Sequence, residues 1–215
     1  PYVKIQSRET AEEMALKFIE VGHKLGIKVE VVLTNGSEPS GLAFGPALEA
    51  KYAMEILEGK FFDNLAQKSV ELAGALLELI GDVPKGKGFD KSLNILESGK
   101  ALEKMKDIIK AQNGNIFNSE QIGYAKYKKE FTAMQSGVIH RVNVGLLNTI
   151  GRMAGAPSDK QAGVMLKVKE GVKMKKNDTV FTIYSSNKRK LDAAYRFAKQ
   201  NRVIELKRII LEKFS

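Results

Sequence analysis

The sequence predicts an α/β fold rich in helices over residues 1–115, followed by a smaller α+β domain over residues 120–215. Three observations support this division. Apolar residues recur at helical spacing through most of residues 7–112. One β-branched stretch, residues 27–33, interrupts them and is typical of a strand. After about residue 115 the chain becomes rich in Phe, Thr and Val and loses the helical period.

In the first region, capping residues and glycines predict where helices begin and end. Ser7 opens the first helix and Gly26 ends it, while Pro46 suits a first helical turn because its missing N–H would be unpaired there. The predicted helices span residues 7–25, 46–57, 62–80, 89–97 and 99–112. On the third of them, one face carries Leu65, Ser69, Leu72, Leu76 and Leu79.

In the second region, strand-like runs alternate with two helices. Residues 129–144 have no helical period and are broken at Ser136 and Gly137. Strands are predicted at residues 163–169 and 178–184. Helices are predicted at residues 144–153 and 191–200. This order of elements gives the α+β assignment.

Composition narrows the classes of function. The chain of 215 residues contains no cysteine, which excludes disulfides, thiolate catalysis and cysteine metal sites. No apolar run reaches the length of a membrane span, so we expect no membrane partner. A basic sequence without cysteine favours the cytoplasm as its compartment.

Charge is uneven along the chain. Residues 1–159 balance 20 basic against 20 acidic residues, whereas residues 160–215 hold 15 against 5 and account for the net charge of +10. Such a segment can attract nucleic acid or phosphorylated substrates. Its few aromatic residues form no stacking platform, so we expect a solvated surface and no nucleic-acid partner.

Residues 34–45 form a glycine-rich loop between the predicted strand and the helix that starts at Pro46. A backbone that leaves a strand through glycines and enters a helix exposes N–H groups that suit an anion. Spacing alone favours an ordinary connection between strand and helix. The two histidines, His23 and His140, have no second histidine or carboxylate at ligand spacing and are interpreted as structural.

The amino-acid sequence of this loop resembles that of the nucleoside phosphorylase family, which contains thymidine, pyrimidine-nucleoside and archaeal AMP phosphorylases. That family carries a T-D-x-S/N-Q-P-x-G-x-x-x-G-x-A-L-E segment, which is similar to residues 34–49 here. Asn35 stands in place of the usual aspartate and Glu38 in place of the usual glutamine. The Gly-Pro-Ala-Leu-Glu-Ala form of residues 45–50 is most like the AMP phosphorylase branch.

The resemblance continues along the chain. Residues 67–79 resemble the family's L-A-G-x-L-L-E helix, and residues 98–105 its S-G-K-A-L-E-K helix start. Residues 154–163 and 168–175 resemble its carboxy-terminal domain, a barrel-sandwich hybrid. The family's K-H-S-T-G-G phosphate loop and S-x-K-x-A base-binding stretch do not occur. We therefore expect the carboxy-terminal portion of a longer enzyme, with those segments upstream of Pro1.

The resemblance implies a pentosyltransferase of nucleotide metabolism. Phosphate, as co-substrate, would cleave nucleoside 5′-monophosphates such as AMP to free base and ribose 1,5-bisphosphate, with no cofactor. The resemblance also implies a homo-oligomer assembled through the missing part. Because the phosphate- and base-binding segments are absent, we assign no catalytic or substrate-binding residue and expect the chain alone to be inactive.

We expect the glycine-rich loop to contribute at most one wall of the active site. This wall would consist of Asn35, Gly36, Ser37, Gly41 and Gly45. A monovalent-cation site of bacterial members matches Ser40, Ala43 and Tyr52 here. Tyr52 offers a phenol where a carboxylate is needed, so we predict no metal.

Three alternatives remain. The runner-up is a thymidine or pyrimidine-nucleoside phosphorylase of pyrimidine metabolism. Residues 168–178 also resemble hairpins of biotinyl and lipoyl domains, which makes a carrier with Lys175 at the hairpin a distant alternative. A basic nucleic-acid-binding module is the other distant alternative.

Overall fold

A computed structural model of the chain describes residues 5, 7–36 and 39–207. The helices are α1 (Arg8–Lys24), α2 (Pro46–Leu57), α3 (Asn64–Ile80), α4 (Gly88–Glu97), α5 (Lys100–Ala111), α6 (Val144–Ala154) and α7 (Lys188–Gln200). The strands are β1 (Ala43–Phe44), β2 (Tyr127–Thr132), β3 (Gly137–Val142), β4 (Gly163–Leu166), β5 (Lys173–Met174), β6 (Thr179–Ser185) and β7 (Ile204–Leu206). Among these residues, no helix has the length and apolar character needed to cross a membrane.

The chain divides into two compact units. The first comprises Pro1–Gly41 and Glu55–Phe117, and the second comprises Leu42–Met54 and Asn118–Ser215. The predicted limits of 1–115 and 120–215 differ from this division in the middle of the chain. Residues 42–54, which contain β1 and most of α2, pack with the second unit because β1 pairs with β4.

In its described part, the first unit is built from helices that meet through small residues. Asp63 caps α3 by accepting hydrogen bonds from the N–H groups of Leu65 and Ala66. A Cβ on Gly74 would lie 2.6 Å from the backbone carbon of Gly88, so α3 and α4 are in backbone contact. Hydrogen bonds from the N–H groups of Gly86 and Gly88 lower the pKa of the Glu78 carboxyl.

The buried face of α3 differs from the face that carries the leucines. Its buried positions are Ala66, Val70 and Gly74, which lie four residues apart. Leu72 and Leu76 point away, and Leu76 is 57% exposed. The orientation of α3 is set by its close contact with α4, because only small side chains allow two helices to approach so closely. This contact outweighs the preference of leucine for burial.

The prediction of a strand at residues 27–33 is wrong. The segment is irregular, and among the described residues of the first unit there is no β-strand at all. Four of its five apolar side chains are exposed, Val32 by 47%, and the fifth, Val29, is half-buried. A strand is stable only when a neighbour accepts its ladder hydrogen bonds, and no described strand pairs with this segment.

The second unit contains two antiparallel sheets. The first has the order β1-β4-β6-β2 and the second the order β5-β3-β7. In the larger sheet, Phe131 of β2 lies opposite Phe181 of β6, and their rings stack with centroids 4.7 Å apart. This unit confirms the prediction that a domain of mixed strands and helices follows a helical region, and the structure adds that its sheets are antiparallel.

Helices α6 and α7 pack against each other and against the larger sheet of this unit, and they close a core. The contributing residues of α6 are Leu147, Ile150 and Ala154, and those of α7 are Leu191, Ala194 and Ala198. Helix α6 agrees with its predicted range to within one residue, whereas α7 begins three residues before its predicted start at residue 191. Asn143 and Asn187 cap the two helices through their side-chain oxygens.

Candidate functional site

The glycine-rich loop and the start of α3 border a pocket of about 380 Å³ within the first unit. The loop contributes one wall and the first two turns of α3 the other. Its lining residues are Val32, Leu33, Thr34, Asn35, Pro39, Ser40, Asn64, Gln67, Lys68, Glu71 and Leu72. Most of these side chains are polar, so the pocket suits a hydrophilic ligand.

The Asp63 cap orients the helical wall of this pocket. Asn64, Gln67, Lys68 and Glu71 follow one another at intervals of three, one and three residues, which places them on one side of α3. The side-chain amide of Gln67 donates a hydrogen bond to Glu71 Oε1 at 2.8 Å. Lys68 Nζ reaches across to Ser40 Oγ at 3.3 Å.

Lys68 is the residue that sequence reasoning missed. Its helix was predicted, but the partner Ser40 lies 28 residues earlier, and a lysine on a polar helix face is typical of a solvated charge. In the structure Lys68 is half-buried. A sequence signal was present, since Asp63 is a recognisable cap and fixes which residues of the first two turns share a face.

The structure divides the predicted active-site wall. Asn35, Gly36 and Gly41 belong to the first unit, and of these Asn35 lines the pocket. Gly45 belongs to the second unit. Ser37 lies outside the described residues, as does Glu38.

Gly45 has an evident structural role. Its φ of +129° suits glycine, and its N–H donates to Glu49 Oε1 at 2.8 Å. A Cβ at this position would meet the carbonyl oxygen of Ala162 and lie 2.9 Å from the Cα of Gly163. Gly45 therefore allows the backbone to approach the segment that leads into β4.

The three residues that match a family cation site also fall in different units. Ser40 belongs to the first unit, whereas Ala43 and Tyr52 belong to the second. Tyr52 is 6% exposed on α2. Across the described residues, no group of three or more His, Asp or Glu side chains could hold a metal ion. The prediction of no metal therefore stays a prediction. The positive charge near Ser40 in the structure is the Lys68 ammonium.

The remaining candidate residues lie on exposed surface. His23 is in the last turn of α1 and His140 in β3. Lys175 follows β5 in a turn, where its backbone N–H donates to Asp178 Oδ2 at 2.6 Å. Both histidines are exposed.

A larger groove, of about 970 Å³, lies in the second unit. Its rim carries Lys199, Arg202 and Lys207, with Glu205 as the one carboxylate among its described lining residues. The groove extends to Lys207, where the described residues end. The basic residues on its rim belong to the segment after residue 160, which accounts for the net positive charge of the chain.

Comparison with known proteins identifies relatives of the whole chain. Residues 138–205 match the pyrimidine nucleoside phosphorylase C-terminal domain. The chain is 43% identical to the AMP phosphorylase of Methanococcus aeolicus, 42% to that of Thermococcus sibiricus and 41% to that of Thermococcus kodakarensis. Each match covers 99% of this chain and 43% of the relative. The chain thus spans less than half of the length of these enzymes.

These matches confirm the resemblance that the loop and helix motifs predict. Residues 138–205 lie within the second unit, and the matches to the AMP phosphorylases extend over both units. The chain therefore carries a pyrimidine nucleoside phosphorylase C-terminal domain and is related, over its whole length, to part of the archaeal AMP phosphorylases.

Proposed function

We propose that this chain is part of a phosphorylase that cleaves nucleoside 5′-monophosphates, AMP above all. The observation that carries the proposal is 39–43% identity over 99% of the chain to proteins named AMP phosphorylase. Thymidine or pyrimidine-nucleoside phosphorylase is the second candidate, which the domain match at residues 138–205 favours. We further propose that the enzyme acts in the cytoplasm as a homo-oligomer and needs no cofactor.

In this reaction an oxygen of inorganic phosphate forms a bond to C1′ of the ribose. The bond from C1′ to the base nitrogen breaks, and its electron pair leaves with the base, which takes up a proton. Because attacking phosphate and 5′-phosphate are both anions, the site must supply cations and N–H donors in fixed positions. The pocket beside α3 offers one cation, Lys68, and several neutral polar groups.

The second unit has a supporting role in this proposal. It buries its own core, and Gly45 joins the end of the loop to β4. We propose that it anchors the carboxy-terminal end of the loop. We also propose that its two sheets correspond to the barrel-sandwich arrangement that the family resemblance implies.

A chimera tests the proposed function. These 215 residues would replace the matching segment of the Methanococcus aeolicus AMP phosphorylase, and release of adenine from AMP and phosphate would be measured. A second chimera would use a thymidine phosphorylase as host. We expect activity in the first host and little in the second. A folded first chimera without activity would contradict the proposal, and restoration only of the thymidine host would favour the second candidate.

The isolated chain provides the complementary measurement. Incubated with phosphate and AMP, thymidine or uridine, it should release no base above the uncatalysed rate. We expect this because one lysine and a few neutral groups supply only part of the charge that two anions need. Turnover of about 1–1000 per second would mean that the chain holds a complete site.

A further inference from the structure

Among the described residues that line it, the pocket beside α3 holds one ammonium, that of Lys68, and one carboxylate, that of Glu71. Lys68 Nζ contacts the Ser40 hydroxyl, a neutral group, at 3.3 Å. Within the described ranges no carboxylate lies within 4.0 Å of this ammonium, whereas exposed lysines on α1 pair with Glu13 and Glu20. A half-buried ammonium without a counter-ion attracts an anion, because removal from water has weakened its solvation.

Glu71, the one carboxylate among the described residues that line the pocket, is already engaged in a hydrogen bond. Glu71 accepts a hydrogen bond from the Gln67 amide, so the two side chains hold each other one turn apart on α3. Thr34 adds a hydroxyl on the opposite wall, next to the amide of Asn35. A phosphoryl group combines negative charge with several acceptor oxygens, and this pocket matches it with one ammonium and neutral groups that can donate.

We propose that this pocket binds a phosphoryl group, with Lys68 as its cation and Ser40 as a neutral donor beside it. A phosphate monoester and inorganic phosphate share this chemistry. The proposal deepens the proposed function, on which it rests for the identity of the ligand, since the substrate would carry a 5′-phosphate and the co-substrate is phosphate. Lys68 would then contribute to selection of nucleotides over nucleosides.

Direct binding to the full 215-residue chain tests this proposal. Titrations of inorganic phosphate, ribose 5-phosphate, AMP and adenosine would be followed by NMR shifts of the Lys68 and Ser40 signals at constant ionic strength. We expect the phosphate-bearing ligands to bind and adenosine to bind at least about tenfold more weakly than AMP. Tighter binding of AMP and ribose 5-phosphate than of phosphate assigns the site to a monoester; the reverse assigns it to the co-substrate.

Variants separate this site from general attraction to a basic protein. Lys68→Gln should weaken phosphate binding at least about tenfold, and Lys68→Arg should restore most of it. Lys91→Gln, at an exposed position of α4, is the matched control and should change binding less than about twofold. Equal binding by wild type and Lys68→Gln, or equal losses in Lys68→Gln and Lys91→Gln, would overturn the proposal.

Two further measurements keep the test decisive. Circular dichroism and thermal unfolding establish that each variant is folded. If Lys68→Gln is not, Lys68→Met, which also removes the charge and keeps an unbranched side chain, replaces it with the same expected loss of binding. Glu38→Gln removes a negative charge two residues before Ser40 in the sequence, so binding should stay equal or become tighter; weaker binding would contradict the proposal. Failure of the chimera with phosphate binding intact would instead count against the proposed function alone.

Discussion

The two units differ in the burial of their large apolar side chains. In the second unit, large side chains from both sheets and from α6 and α7 form one buried cluster. In the first unit, Leu16 and Phe18 of α1, Val32 after it and Leu76 of α3 are exposed. Of the large apolar residues that are exposed in the described chain, all but Tyr124, Met134 and Val172 belong to the first unit.

The difference shows that the second unit has a core of its own and the first has only a partial one. Helices α3 and α4 gain stability from close backbone contact, yet this contact covers small residues and leaves Leu72, Leu76 and Phe89 exposed. An apolar surface of this kind is typical of an interface.

The largest expected effect comes from the same substitution in the two units. Leu166→Ala removes a side chain that is 1% exposed in β4 and should destabilise the second unit by about 2–5 kcal/mol, through lost burial and the cavity that remains. Leu16→Ala, where the side chain is 69% exposed on α1, should change stability by less than about 0.5 kcal/mol. Hydrogen exchange of amides in each unit, at increasing denaturant, measures both values. Equal effects would mean that the exposed face of α1 is covered in solution.

Close backbone contacts give the next largest effects. A Cβ on Gly163 would meet the carbonyl oxygen of Phe44 and lie 2.8 Å from Leu48 Cδ1, so Gly163→Ala should cost about 1–3 kcal/mol in the second unit. Gly74→Ala should have a similar effect on the first unit, because α3 must move away from α4. Gly123→Ala is the control, since the nearest atom to its Cβ lies 3.7 Å away. Thermal unfolding of each variant tests the ranking, and a Gly74→Ala variant as stable as the control would refute the helix contact.

Helix boundaries could be predicted from sequence because their signals are local. Asp63, Asn143 and Asn187 each cap a helix through a hydrogen bond to the next turn. Whether residues 27–33 form a strand could not be predicted from their own sequence, because β-branched residues form a strand only where a neighbouring strand pairs with them. The buried face of α3 was missed for the same reason, since the Gly74 contact with Gly88 decides it.

The candidate site was predictable in part. The glycine-rich loop marks its position, and Asn35 does line the pocket. Two contacts that define the rest join residues far apart in sequence: Lys68 with Ser40, and Gly45 with the segment before β4. Residue types and local spacing do not reveal contacts between residues so far apart in sequence, so sequence reasoning omitted Lys68. The place of Gly45 in the active-site wall stays a prediction.

Acid should weaken the second unit through Asp159. Partial burial alone would raise its pKa, but hydrogen bonds from the N–H and hydroxyl of Ser186 and from the N–H groups of Gln161 and Ala162 lower the pKa below the ordinary value of 3.8. A depressed folded-state pKa gives stability that is present above about pH 4 and is lost as the pH falls through the folded pKa.

The measurement is the Tm of the second unit between about pH 5 and about pH 2.5. Asp159→Asn should lower the Tm at pH 5 and make it fall less steeply on acidification, because one titrating group is gone. A variant whose Tm falls as steeply as that of the wild type would show that other carboxylates dominate. Glu78 is the corresponding group in the first unit, since its pKa is also lowered, and Glu78→Gln should leave the acid response of the second unit unchanged.

The smallest expected effect has opposite signs in the two units. The hydroxyl of Ser185 in β6 is buried and donates to the carbonyl oxygen of Ala154 at 2.6 Å. The hydroxyl of Ser92 in α4 is also buried, yet it is the one side-chain polar atom among the described residues that is buried without a hydrogen-bond partner.

Ser185→Ala should therefore destabilise the second unit by about 1–2 kcal/mol, because it leaves a buried carbonyl unpaired. Ser92→Ala should stabilise the first unit by up to about 1 kcal/mol, because it removes an unpaired group and adds helix propensity. Denaturant unfolding followed separately in each unit measures both changes, and a destabilising Ser92→Ala would mean that this hydroxyl has a partner in solution.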